Sequence, residues 1–189
     1  MRKIISATLL ALVAASPAVA QDAARFTGPR VEGLIGWNRM QGHGHDDGFA
    51  YGVGGGYDFQ AGNAIVGIDA EVMGANNKAC VDNLVGPYER ICQKVGRDLY
   101  IGGRAGGVVS PNLLLYGKIG YSNAREKLRG DDGILVRTID KRDLSGIRLG
   151  GGAEYAIGSN SYVKAEYRYT NYNHGDSRHQ ILGGFGFRF

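Results

Sequence analysis

The sequence lacks a long apolar run, and this absence excludes one class of membrane protein. Its most apolar segment, from Ile4 to Ala15, is short, and no later stretch approaches the roughly 18 consecutive apolar residues that a membrane-spanning helix requires. A protein that crosses the bilayer with helices is therefore excluded.

The chain also has little excess of one charge. Its 22 basic and 18 acidic residues give a formal net charge of +4, and removal of Arg2 and Lys3 with an N-terminal signal would lower this charge to +2. A protein that binds nucleic acid usually concentrates basic residues on one face. We therefore expect no nucleic-acid partner.

The N-terminus has the three parts of a cleavable signal peptide. Arg2 and Lys3 form a charged start, the apolar segment follows, and Ala18-Val19-Ala20 has the small residues that a signal peptidase accepts. We assign residues 1–20 to the signal, with cleavage between Ala20 and Gln21. Residues 21–29 then form a short lead, and residues 30–189 form one domain.

Cysteine is scarce, since Cys80 and Cys92 are the only two. Eleven residues separate them and no further cysteine follows, a spacing unlike that of a zinc site. An exported protein meets an oxidising compartment, so we expect a Cys80–Cys92 disulfide. Closing this short loop would stabilise the fold by roughly 3 kcal/mol.

Glycine, by contrast, is abundant, and it occurs within segments that alternate with a period of two. In such a segment every second residue is apolar or aromatic, as expected for a β-strand with two different faces. Short turns and longer polar links alternate between the segments. The eight predicted strands are Val31–Trp37, Phe49–Phe59, Ala64–Val72, Leu99–Val109, Leu113–Tyr121, Ile147–Tyr155, Val163–Tyr169 and His179–Phe189.

Twelve charged residues share the faces opposite the apolar ones. A lysine or arginine facing lipid costs about 2–4 kcal/mol at mid-membrane, so in a membrane barrel these residues must line the interior. The alternative is a soluble β-sandwich or lipocalin-type barrel, whose charges would face water. The predicted interior charges are Glu32, Asp58, Asp69, Glu71, Arg104, Lys118, Arg148, Glu154, Lys164, Glu166, Arg168 and Arg188.

These features together resemble the small outer-membrane β-barrel proteins of Gram-negative bacteria, the OmpA/OmpX-like and opacity-type group. The resemblance rests on the signal, the eight alternating strands and the terminal segment Gly184–Phe189. It implies an all-β, eight-stranded antiparallel up-and-down transmembrane barrel in contact with outer-membrane lipid. It also implies that Phe185, Phe187 and Phe189 are recognised by the barrel-assembly machinery.

The expected function is a structural or surface-interaction role through external loops, whose partner the sequence does not identify. Eight strands enclose an interior that side chains fill, whereas water-filled porins have 16 or more strands, so we expect no open pore. We also expect no cofactor. The polar residues His43, His45, Asp46 and Asp47 form a glycine-spaced loop that we interpret as solvated rather than metal-binding.

The alternative function is a membrane enzyme that modifies lipid A. Ser177 and His179 lie two residues apart and so share one face of a strand. A serine and histidine with a carboxylate can activate a hydroxyl nucleophile. The main prediction is nevertheless a non-enzymatic barrel.

The assigned signal peptide gives a direct prediction for the mature protein. Protein extracted from the outer membrane should have the intact mass of residues 21–189, because the peptidase cleaves after Ala20. Mass spectrometry checks this. A membrane-inserted protein that retains Met1 to Ala20 would contradict the assignment.

Overall fold

A computed structural model describes residues 25–41, 45–76, 78–82, 90–131, 136–173 and 176–189. No helix in these ranges is long and apolar enough to cross a membrane. The predicted signal peptide and its cleavage site lie outside the described residues. The strands are β1 (Gly28–Gln41), β2 (His45–Ala61), β3 (Ala64–Ala75), β4 (Lys78–Asp82), β5 (Arg90–Ser110), β6 (Leu113–Asp131), β7 (Val136–Ala156), β8 (Ser161–Tyr172) and β9 (Ser177–Arg188).

Eight of these strands form one closed antiparallel barrel. β1 pairs with β2, β2 with β3 and β3 with β5, and each later strand pairs with the next through to β9. β9 then pairs with β1, placing Phe187 opposite Val31 and Phe185 opposite Gly33. The ring therefore has no open edge, and the predicted eight-stranded antiparallel barrel is confirmed.

Three tight turns close one end of the barrel. They lie at residues 62–63, 111–112 and 157–160, within the segments predicted as short turns. Gly62 adopts a φ of +60°, a left-handed conformation in which a side chain is strained. The links that the sequence predicts to be longer lie at the opposite end, which we call the long-loop end.

The outward face is apolar and the inward face is largely polar, as the alternation predicted. In β1, Ile35 is 58% exposed whereas its neighbour Leu34 is 1% exposed. The same alternation in β9 exposes Ile181, Phe185 and Phe187 and buries Leu182 and Arg188. An apolar exterior of this kind is suited to lipid rather than water.

The polar link predicted between the strands Ala64–Val72 and Leu99–Val109 contains regular strand, so this part of the prediction is wrong. β3 continues to Ala75, β4 follows, and β4 pairs with the first residues of β5. In that pairing Cys80 is opposite Cys92. Opposed residues of antiparallel strands have Cα atoms about 4.5–5.5 Å apart, a separation that suits a disulfide. The two side chains lie outside the described part of the structure, so the disulfide stays a prediction.

The link predicted between the strands Leu113–Tyr121 and Ile147–Tyr155 is also mostly strand. β6 continues to Asp131 and β7 begins at Val136, with a register irregularity beside Leu128. In these strand ends the hydrophobic alternation of the sequence is lost, although the backbone pairing continues.

Candidate functional site

The polar interior of the barrel is the largest concentration of charged groups in the described residues. Fifteen charged side chains are buried there, eight basic and seven acidic. All twelve of the residues named from the sequence are among them. The other three are Arg30, Asp98 and Arg178.

The three buried charges that were not predicted lie just outside the predicted strands, where the inward–outward alternation continues. Arg30 lies two residues before Glu32, and Arg178 lies two residues before Gln180, in strands that are longer than predicted. Asp98 directly precedes the predicted strand Leu99–Val109 and is buried two residues before Tyr100, on the inward face of β5. Extending each alternation by one step would have found Arg30 and Arg178.

Near the short-turn end, Asp58 is the centre of an ionic cluster. It accepts hydrogen bonds from Arg104 Nε at 2.8 Å, Arg30 Nε at 3.0 Å and Arg188 Nη2 at 3.0 Å. Glu154 adds a second carboxylate, 3.1 Å from Arg104 Nη1 and 2.8 Å from Arg188 Nη2. The five residues come from five strands, so the cluster connects opposite walls of the barrel.

A lysine-centred cluster lies next along the barrel. Lys164 Nζ is 2.8 Å from Glu32 Oε1 and 3.0 Å from Glu166 Oε2. Lys118 Nζ is 2.5 Å from Glu71 Oε1 and 3.2 Å from Glu166 Oε1. Lys118 Nζ is also 3.3 Å from Asp69 Oδ2. Lys164 therefore bridges two carboxylates and Lys118 bridges three, as a compact charge with three donors can do.

Tyrosine and arginine side chains complete the contacts of these carboxylates. Arg168 Nη1 donates to Glu71 Oε2 at 2.7 Å and Nη2 donates to Oε1 at 2.8 Å. The hydroxyl of Tyr116 donates to Glu166 at 2.5 Å, and that of Tyr162 donates to Glu32 at 2.8 Å. Two-point contact between a guanidinium and a carboxylate fixes both groups in position.

Towards the long-loop end, Asp98 gathers a third cluster. It accepts from Arg148 Nη2 at 2.5 Å, Arg178 Nη1 at 2.8 Å and the Ser122 hydroxyl at 2.7 Å. Arg178 Nε also donates to Asn38 Oδ1 at 2.6 Å. Three clusters thus follow one another along the barrel axis.

Apolar side chains are buried at both ends of this charged region. At the short-turn end Phe26, from the segment predicted as a short lead at residues 21–29, packs with Ile65, Leu114 and Ala156. The Phe26 N–H donates to Gln60 Oε1 at 3.0 Å, which fixes the lead. At the long-loop end the buried apolar residues are Ala124, Leu144 and Tyr172, with Met40 packed against them.

Ser177 and His179 lie on the outward side of β9, because the intervening Arg178 is buried. His179 Nδ1 is hydrogen-bonded to the Tyr167 hydroxyl at 2.7 Å, and its ring centroid is 5.0 Å from that of Tyr169. No carboxylate bonds His179 in the described part of the chain. The third member of a catalytic triad is therefore not assembled among these residues.

The possible metal-binding loop lies largely outside the described residues. His43 lies outside the described residues, as do the side chains of His45 and Asp46. The carboxylate of Asp47 accepts two hydrogen bonds from Arg39, at 2.7 and 3.1 Å. Within the described ranges, no group of three or more His, Cys, Asp or Glu side chains is arranged to hold a metal ion.

A closed antiparallel barrel with an apolar exterior and charged interior has the architecture of a transmembrane β-barrel. The family model described as outer membrane protein beta-barrel domain matches residues 6–189. The chain therefore belongs to the outer membrane protein β-barrel domain family. It is a small outer-membrane β-barrel protein, and the long-loop end is the external end of such barrels.

Similar proteins agree with this assignment. The 31 kDa outer-membrane immunogenic proteins of Brucella melitensis and Brucella suis are each 31% identical over 132 residues, covering 66% of this chain. The match covers 54% of their sequences, so the chain spans about half the length of these relatives.

Two solved structures share the fold at low sequence identity. Ail, the attachment invasion locus protein of Yersinia pestis, has a TM-score of 0.59 at 14% identity, covering 86% of this chain and 99% of its own. Neisserial surface protein A has a TM-score of 0.58 at 15% identity, covering 86% and 98%. At this level of identity the likeness concerns the fold alone.

The Asp58 cluster gives a prediction about stability. Replacing Asp58 with Asn should lower the free energy of unfolding by about 3–5 kcal/mol, because three buried guanidinium groups lose their shared carboxylate. Urea unfolding from lipid vesicles measures this change. The matched control is Asp143→Asn, which removes the carboxylate of the exposed Arg125–Asp143 pair and should have no measurable effect. Equal stability of the Asp58 variant and the unaltered protein would contradict the prediction.

Proposed function

We propose that this protein is a closed, non-enzymatic outer-membrane barrel that holds its external strands at the cell surface. The observation that carries the proposal is the stack of buried layers along the barrel axis: apolar residues around Phe26, the three ionic clusters, and apolar residues around Leu144. Each ionic cluster joins different walls of the barrel. Water and ions would have to displace these contacts to pass.

The width of the barrel supports the same proposal. An eight-stranded barrel has an interior about wide enough for side chains, and 16-stranded porins are the ones that leave an aqueous channel. Long arginine and lysine side chains occupy much of that width here. Arg104 alone reaches both Asp58 and Glu154, at 2.8 and 3.1 Å.

The surface role is supported by the external strands and by the names of similar proteins. β5, β6 and β7 continue well beyond the apolar band at the long-loop end. The Brucella relatives are named as immunogenic outer-membrane proteins, and the Neisseria relative is named as a surface protein. Both descriptions fit a protein whose external strands are accessible from outside the cell.

The route to the membrane forms part of the proposal. Residues 1–20 direct export and are removed, and the barrel-assembly machinery recognises the last strand. Phe185 and Phe187 support recognition of the last strand because their rings lie on the exposed face of β9. The two rings are in edge-to-face contact, with centroids 5.0 Å apart. Phe189 follows at 67% exposure, beside the seam between β9 and β1.

Planar-bilayer recording tests the closed interior. Pure folded protein should give no discrete, long-lived conductance steps, because the proposed layers would block a continuous water path. A 16-stranded porin inserted under the same conditions is the positive control. Large and stable channels from the purified barrel would contradict the proposal, whatever the role of the external strands.

A further inference from the structure

The residues ahead of β1 cross the short-turn end of the barrel. Phe26 precedes the first strand and is nevertheless 0% exposed. Leu114 and Tyr116, in the same buried apolar cluster, belong to β6. Around the ring β6 is four strands from β1 in either direction and so lies opposite it. The chain therefore reaches across the opening of the barrel, and we call residues 25–27 the strap.

A glycine at the start of β1 turns the chain from the barrel wall into the strap. Gly28 has a φ of +115°, a backbone conformation that strains any residue with a side chain. A Cβ atom at this position would also lie 2.3 Å from the carbonyl oxygen of Phe189. One residue later, the Pro29 carbonyl accepts a hydrogen bond from the Phe189 N–H at 2.9 Å. The turn into the strap is therefore fixed against the last residue of the chain, at the seam between β1 and β9.

Polar contacts hold the strap at two separate places on the rim. The Phe26 N–H donates to Gln60 Oε1 and the Gln60 N–H donates to the Thr27 hydroxyl, both at 3.0 Å. On the other side, Arg25 Nη1 donates to Asn112 Oδ1 at 2.5 Å, in the turn between β5 and β6. These contacts fix the strap at both of its ends.

The burial site of Phe26 is built by strands from around the whole ring. The Arg188 guanidinium of β9 lies over the Phe26 ring, 5.4 Å from its centroid, and also contacts Asp58 and Glu154 in the first ionic cluster. The apolar members of the site are Ile65 of β3, Leu114 and Tyr116 of β6, and Ala156 of β7. No single hairpin contains these groups, so the site is complete only when the ring is closed.

We propose that the strap is a latch, which docks after the seam has closed and slows unfolding of the finished barrel. Docking follows closure because the Phe26 site requires β3, β6, β7 and β9 to be in their final places. A contact that forms after the transition state for folding lowers the unfolding rate and leaves the folding rate unchanged. The latch is a property of the short-turn end and does not rest on the role of the external strands.

Rates of folding and unfolding of the mature protein in lipid vesicles test the latch. Phe26→Ala removes the ring that fills the site and should speed unfolding at least about tenfold, because truncation of a buried phenylalanine is among the costliest apolar changes. The folding rate should change by less than about twofold, since the site forms late. Trp37, the only tryptophan, lies on the outward face, so its fluorescence follows membrane insertion.

Two further variants separate the latch from a general loss of apolar surface. Phe26→Leu keeps a large apolar side chain and should retain most of the slow unfolding. Ile157→Ala is the matched control, since Ile157 is an exposed apolar residue at the same end, and both rates should stay within about twofold. Folding of each variant is checked by the mobility of unheated and heated samples on a gel.

Three results would overturn the proposal. Slower folding of the Phe26→Ala variant with an unaltered unfolding rate would mean that the strap docks before the seam closes. Unaltered rates in both directions would mean that the strap does not hold the barrel closed. Failure of this variant to fold would mean that the contact is needed to reach the closed ring. None of these measurements reports conductance, so the latch and the closed interior can fail separately.

Discussion

The burial of fifteen charged side chains inside a narrow barrel is the constraint on which the rest of the structure depends. A charge buried there without a partner costs several kcal/mol of stability. A charge that faces lipid costs a similar amount. Asp58, Glu71 and Asp98 meet this constraint because each receives cations from different strands. The partners meet only when the ring is closed. Pairing of β9 with β1 and formation of these ion pairs therefore occur together.

The same constraint explains why so much glycine lies on the inward faces. A Cβ atom at Gly186 would lie 2.4 Å from the Tyr162 ring, and one at Gly102 would lie 2.2 Å from the Tyr100 hydroxyl. Small residues therefore leave the space that the large ones occupy. Tyr162 uses that space to reach Glu32, and the Tyr100 ring lies against Lys118 Nζ at 4.6 Å. The interior is crowded because large polar side chains face glycine.

The sequence allowed the barrel to be predicted because, in every strand that crosses lipid, apolar outward residues must alternate with inward residues. Outside the lipid this requirement ends, and β4 and the outer parts of β6 and β7 were missed for that reason. The residues that face inward were largely predictable, but their partners were not. Glu71 meets Arg168, for example, because of the register of strands that are not neighbours in the sheet.

The most direct test of the account is a disulfide across the seam of the barrel. In a variant with both native cysteines changed to serine, Ile35→Cys and Gly183→Cys place two cysteines at opposed positions of β1 and β9. Ile35→Cys with Ile181→Cys is the out-of-register control. Oxidation in the outer membrane should link the opposed pair and leave the control as free thiols, read by mass spectrometry. Equal linkage in both variants, or none in the opposed pair, would contradict the closed barrel that the buried charges require.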